Sequence, residues 1–226
     1  MSRLFHFYRR QAPVPGERQP APTLAAMVWA GLRAGVAAAL LAHLPAQAAA
    51  VKFQVSGAQG QPLADAVLML EPQGAHPAVK PLEGIDVAQE NRAFLPLVTV
   101  VTVGTKVQFP NRDSVRHHVY SFSEARKFEL KLYVGKPEKP ISFDKAGVVV
   151  LGCNIHDQMV GWIVITDTPW YGKSAANGQL SLTDVPAGNY TLRTWHAGLP
   201  PGSPGLEQPV VVGPAGQTVA VKLGVR

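Results

Sequence analysis

Leu151-Gly152-Cys153-Asn154-Ile155-His156-Asp157-Gln158-Met159-Val160-Gly161-Trp162 places a thiol, an imidazole and a thioether at Cys-x-x-His-x-x-Met spacing on one short loop. The residues on either side, 148–152 and 163–165, are apolar and largely β-branched, so the loop reads as a connection between two buried strands. Cys153 is the only cysteine of the chain and has no internal disulfide partner. A lone thiol beside an imidazole and a thioether fits a metal site.

A second imidazole stands upstream in Asn111-Arg112-Asp113-Ser114-Val115-Arg116-His117-His118-Val119, a loop running into another strand, where His117 and His118 are the candidates. Two nitrogens, one thiolate and a weak axial methionine are the ligand set of a blue-copper electron-transfer site. Zinc does not suit the set, because structural zinc takes Cys and His, catalytic zinc keeps three ligands plus water, and methionine belongs to neither. Taken singly, each residue has a plainer role: a cysteine at a strand end is a small buried hydrophobe, a methionine fills a core, and Asn154 and Asp157 suit a turn. The joint spacing favours the metal.

Working outward, hydrophobic residues make up 46% of the chain and charged ones 16%, the latter below the roughly 25% of an average soluble protein. Short β-branched runs broken by 21 glycines and 20 prolines predict an all-β fold. Residues 51–55 and 64–70 read as a hairpin around the turn at 57–60, within an N-terminal segment 51–75. Residues 72–83 read as a loop. Residues 97–103 and 105–109 read as strands joined at Gly104, and 121–128 as a short helical turn with Ser123 as its cap. A second set of strands, 179–183, 190–195, 209–212 and 218–223, follows the Asn177-Gly178 turn. Trp162, Trp170, Tyr190 and Trp195 read as packing residues, Arg112 and Arg116 as a solvated rim, and His76 and His196 as loop residues.

Residues 1–48 hold five arginines against one glutamate, which accounts for four of the six net positive charges. A remaining charge of that size calls for no polyanion, so no nucleic-acid partner is expected. The arginines precede an apolar run at 34–44 and the small-residue site Ala46-Gln47-Ala48, the order of an export signal with cleavage after Ala48. Two alternatives stand beside this: a true start at Met27, and an uncleaved signal that holds the protein at a membrane. Export implies a bacterial periplasmic location.

The ligand loop resembles the cupredoxin family, and its compact spacing resembles the amicyanin branch. The likeness spans residues 84–167 and rests on Asn111, His117, Cys153, His156, Met159, Gly161 and the strand at 163–165. It also includes Val103-Gly104-Thr105-Lys106-Val107-Gln108-Phe109 and the turn Phe143-Asp144-Lys145-Ala146-Gly147. The resemblance implies a Greek-key β-sandwich holding one type 1 copper through His117, Cys153, His156 and Met159, with the edge of His156 as the electron port. It further implies that Asn111 and the backbone around Asn154 hold the cysteine loop against the upstream loop. Where the family usually has Asn after the upstream ligand this chain has His118. Spacing from Asn111 favours His117 as the ligand, and strand alternation turns His118 to the opposite face, as a surface residue or one supporting the site.

The whole arrangement is similar to exported proteins labelled methylamine utilisation proteins. Residues 176–192, with Asn177-Gly178 and Pro186-Ala187-Gly188, resemble a carboxypeptidase regulatory-like, or prealbumin-like, sandwich over 170–226. Residues 53–70 resemble its opening hairpin, so two arrangements stay open: one sandwich closed around an inserted copper domain, or residues 51–71 lengthening the copper-binding sheet. The function that follows is single-electron transfer between redox partners of the dehydrogenase or c-type cytochrome class, with no bond-making on a substrate. The alternatives are copper handling, or a metal-free module binding carbohydrate or protein. A Cys-His hydrolase ranks last, since no orienting group or oxyanion site is evident to complete it.

Overall fold

The computed structural model describes residues 48–225, so the expected leader lies outside the described residues except for Ala48. In chain order the strands are β1 (Ala48–Ser56), β2 (Val67–Pro72), β3 (Ile85–Asp86), β4 (Ala88–Glu90), β5 (Ala93–Leu95), β6 (Val98–Thr102), β7 (Thr105–Gln108), β8 (His117–Ser123) and β9 (Arg126–Tyr133). They continue through β10 (Ile141–Phe143), β11 (Gly147–Gly152), β12 (Val160–Thr166), β13 (Tyr171–Lys173), β14 (Gln179–Pro186), β15 (Gly188–Trp195), β16 (Leu206–Val212) and β17 (Gln217–Lys222). The fold is all-β, and no helix occurs among the described residues.

A five-stranded sheet of order β6-β12-β11-β8-β9 faces a three-stranded sheet of order β10-β7-β3. Alternation decides what lies between them: Val149 and Leu151 of β11, Ile163 and Ile165 of β12 and Val119 of β8 turn inward. There they meet Val107, Phe109 and Phe143. Each such side chain, fully buried, contributes about 1.5–3 kcal/mol. Gly104, with φ of +84°, lets the chain cross from β6 in one sheet to β7 in the other.

The other two sheets, β14-β1-β17 and β13-β2-β15-β16, enclose a second core of Val51, Phe53, Val55, Leu68, Leu70, Tyr190 and Leu192 among others. N-terminal and C-terminal segments interleave here, since β1 runs parallel to β17 and antiparallel to β14, while β2 pairs with β13 and β15. Both β1 and β2 thus pair with the 171–222 strands, and neither lengthens the sheets of the first sandwich. A third apolar cluster joins the two sandwiches: Val67, Met69 and Trp195 meet Val98 and Val164, and the Trp162 and Trp195 rings lie 6.2 Å apart. This explains why β12 reads as an unbroken apolar run: both of its faces are covered.

Two local expectations are corrected. Residues 51–55 and 64–70 do not form a hairpin. Both edges of β1 are already occupied, and the turn after it carries the chain into the opposite sheet. Residues 121–128 form no helical turn, because β8 runs to Ser123 and returns as β9 from Arg126, with those two residues paired. The Ser123 hydroxyl caps no helix and accepts instead the amide of Val150, tying β8 to β11. Two connecting residues are enough for a hairpin, and alternation along 117–123 overrides the local capping signal.

Candidate metal centre

Cys153 follows β11 in the same parity as Val149 and Leu151, which directs its thiol into the sandwich, where it is 3% exposed. Met159, 1% exposed, belongs to the same core cluster at the other end of the loop, just before β12. The Met159 amide donates to the His156 carbonyl at 2.9 Å, folding the loop back on itself. His156 is half-buried, and Ile155 beside it is exposed.

His117 opens β8 with its side chain wholly buried. The Sγ of Cys153 is 3.9 Å from Nδ1 of His117 and 3.9 Å from Nδ1 of His156, and the three donor atoms all lie within 4.8 Å of one another. Bonds of about 2.0–2.3 Å meeting at about 110–120° put nitrogen and sulfur about 3.5–3.7 Å apart, so the two observed S···N edges are close to those of a shared ion. With Met159 buried in the same cluster, the four residues supply two imidazoles, one thiolate and one thioether, a set consistent with a type 1 copper site.

Of the two upstream histidines, the triangle contains His117. His118 points to the outer face of the sheet, as alternation predicts, yet it is not a surface residue: it is 5% exposed. Its Nε2 lies 2.8 Å from Oε1 of Glu129 on β9, and its ring is 5.5 Å from that of Tyr120. Glu129 and Tyr120 together keep it from water and away from the donor triangle.

Asn111 and Asn154 depart from their expected parts. Asn111 is buried, and its amide group donates to the carbonyls of Val115 (2.9 Å) and Tyr133 (2.8 Å) while accepting the Asp113 amide (3.0 Å). It therefore fastens the His117 loop to the end of β9 rather than to the cysteine loop. Asn154 is exposed, and among the described residues no hydrogen bond joins it to the upstream loop.

Sequence spacing did not reveal Asp113, whose Oδ2 lies 2.7 Å from Nε2 of His117. A carboxylate on the loop leading to the ligand was the available signal. The Arg92 amide above all, with the His117 ring and the Asn91 amide, holds the Asp113 carboxyl below its usual pKa, against burial, which opposes them. Beneath this loop, burial pushes the Tyr133 phenol up to about 12, while Tyr133 donates to the Phe109 carbonyl at 2.6 Å and also bonds Gln89.

Cys153, His117 and Asp113 thus stand in the order thiol, imidazole, carboxylate, supplying the orienting group that sequence spacing did not show for a Cys-His nucleophile. Yet the S···N separation of 3.9 Å is equal for two imidazoles, and the thiol is sealed in the core. A nucleophile needs one base at about 2.6–3.2 Å and an open approach, so the arrangement suits a shared ion better.

No protein-family model matches this sequence, and no curated protein matches it. Among solved structures, a copper-containing nitrite reductase from Thermus scotoductus SA-01 is 27% identical over 42% of this chain, with a TM-score of 0.35. The match spans only 25% of the nitrite reductase chain. A purple cupredoxin from Nitrosopumilus maritimus is 24% identical, covering 36% of this chain and 96% of its own, with a TM-score of 0.32. The reduced state of an amicyanin variant is 22% identical, covering 45% of this chain and 99% of its own, with a TM-score of 0.33. From β3 to β12 the chain forms a two-sheet β-sandwich that carries the His117, Cys153 and His156 donor cluster, and further β-sheets are joined to it.

Proposed function

We propose that the protein is an exported type 1 copper protein carrying single electrons between larger redox proteins. The observation that carries this reading is the triangle of His117 Nδ1, Cys153 Sγ and His156 Nδ1, with Cys153 equidistant from both imidazoles. His117, Cys153, His156 and Met159 would hold one copper, the two imidazoles and the thiolate with the thioether as a weak fourth donor. Copper supplies a one-electron couple that needs no bond-making on a substrate. The chain's own contribution is rigidity: three of the four ligands are buried, and the His117 loop is fastened by Asn111 and Asp113. Ligands that move little between oxidation states keep reorganisation small.

Electrons would enter and leave at the half-buried His156. On the two ligand loops themselves Val115 and Ile155 are exposed, offering an apolar docking face at that end. Around it Arg112 is paired with Glu90 at 3.2 Å and Arg116 is exposed, a mixed rim suited to a redox partner of the dehydrogenase or c-type cytochrome class. The periplasm is the compartment in this reading. The second sandwich is a carboxypeptidase regulatory-like spacer or carbohydrate-contacting module, assigned on sequence resemblance.

Copper handling is the second reading, because the same donors would sequester the ion. Titrating the protein with Cu(II) to one equivalent separates them. An intense thiolate-to-copper band with narrow hyperfine splitting, bleached by ascorbate and restored by oxidant, is expected. Colourless binding, or binding of Cu(I) alone, would sink the electron-transfer reading in favour of handling.

A further inference from the structure

Two backbone amides and the Nε2 of His117 converge on the Asp113 carboxylate. Oδ1 accepts the Asn91 amide at 2.7 Å, while Oδ2 accepts the Arg92 amide at 2.9 Å and lies 2.7 Å from Nε2 of His117. Asn91 and Arg92 both have positive φ, 54° and 57°, at the turn between β4 and β5. That strained turn and the buried ligand therefore share one side chain, which is itself positioned by the Asn111 side chain accepting the Asp113 amide. His117 is fully buried, so its Nε2 has no exposure to bulk water and faces the carboxylate instead.

A neutral imidazole has one N–H and one lone pair, and the partner of one nitrogen decides the state of the other. An acceptor-only carboxylate at Nε2 places the proton there and leaves the lone pair of Nδ1 facing Cys153. An amide at position 113 does not reproduce this. Its single oxygen faces one side, and its NH2 group then meets either the Asn91 amide or the Arg92 and His117 donors. The charge of Asp113, and not only its shape, is what the geometry uses.

We propose that Asp113 is the positioning residue of the metal centre: it locks His117 in the Nε2–H tautomer before any metal arrives and, by making the imidazole a stronger donor, lowers the reduction potential. The second half rests on the copper reading above; the first does not. Carboxylate-to-histidine pairs act in this way on ligating imidazoles, and losing one typically costs about 10–100-fold in metal affinity.

The test begins with the metal-free wild-type protein, in which long-range proton–nitrogen NMR is expected to show His117 protonated at Nε2 and unprotonated at Nδ1. Asp113→Ala is expected to release that preference, and Asp113→Asn to shift it toward Nδ1–H. Copper-loaded Asp113→Ala and Asp113→Asn are expected to show a higher potential and roughly tenfold or greater loss of Cu(II) affinity, with Asp113→Glu recovering part of both. An Nδ1–H tautomer in the wild type, or potentials and affinities unchanged in the variants, overturns the proposal. A wild type that shows the Nε2–H tautomer but binds no copper defeats the copper reading and the redox half with it, while upholding the lock.

Discussion

Cys153 Sγ and His117 Nδ1 stand 3.9 Å apart although 36 residues separate them in the chain. Their meeting depends on β11 and β8 lying side by side in one sheet, with Gly152 paired to Tyr120 immediately before the cysteine. The first test is therefore of the ligands themselves. Cys153→Ser is expected to abolish the charge-transfer colour, and Met159→Gln to keep copper at a lower potential. Visible absorption and voltammetry read both, and a blue Cys153→Ser protein would remove the ligand assignment.

The adjacent histidines should separate cleanly. His117→Ala is expected to lose the blue site. His118→Ala is expected to keep it while losing about 1–3 kcal/mol of stability, because the bond to Glu129 and the contact with Tyr120 disappear from a buried position. Copper EPR and urea denaturation on both variants check this, and loss of the site only in His118→Ala would reverse the choice.

Gly152 has no room for a side chain. A Cβ there would stand 2.7 Å from Cζ of Tyr120, so Gly152→Ala is expected to cost about 1–3 kcal/mol through overpacking. The displacement falls one residue from Cys153, and the absorption band should shift as well. Tyr120→Leu in the same chain should recover part of the stability, measurable by thermal unfolding.

The two sandwiches are held together by Trp195, Met69 and Val67 against Val98 and Val164. Trp195→Ala is expected to cost about 3–5 kcal/mol and to split a single calorimetric transition into two, while leaving the copper spectrum in place. An unchanged single transition would show that the coupling lies elsewhere.

Stability should fall at high pH on account of Tyr133. Its folded pKa is raised to about 12 from an unfolded value near 10. The folded state therefore favours the neutral phenol. Its contribution is fully present below about pH 10 and is lost as pH rises toward 12, amounting after allowance for partial exposure to about 1–2 kcal/mol. Denaturation curves between pH 9 and 12 should be flatter in Tyr133→Phe, which also loses the bond to the Phe109 carbonyl.

Short-range order was legible where covalent spacing sets geometry. Cys153, His156 and Met159 share one loop, so their convergence is nearly a consequence of the loop's length, and alternation around them marks strands without reference to the rest of the chain. The same alternation turned His118 outward, but exposure does not follow from direction alone: Glu129 and Tyr120 cover it. At 121–128 a polar, cap-like serine competed with the strand pattern, and pairing with β9 and β11 decided the outcome.

The chain's residue types and spacings were enough to set the all-β class and to nominate the donors, three from one loop and His117 from its spacing to Asn111. Long-range pairing settled what they could not: which edges β1 and β2 would join, and which face the second sandwich would cover. It also brought the β4–β5 turn and His117 onto a single carboxylate at Asp113. The reason is physical. Periodicity and loop spacing are local quantities, whereas strand pairing and the direction of a buried hydrogen bond depend on neighbours that only the folded chain supplies.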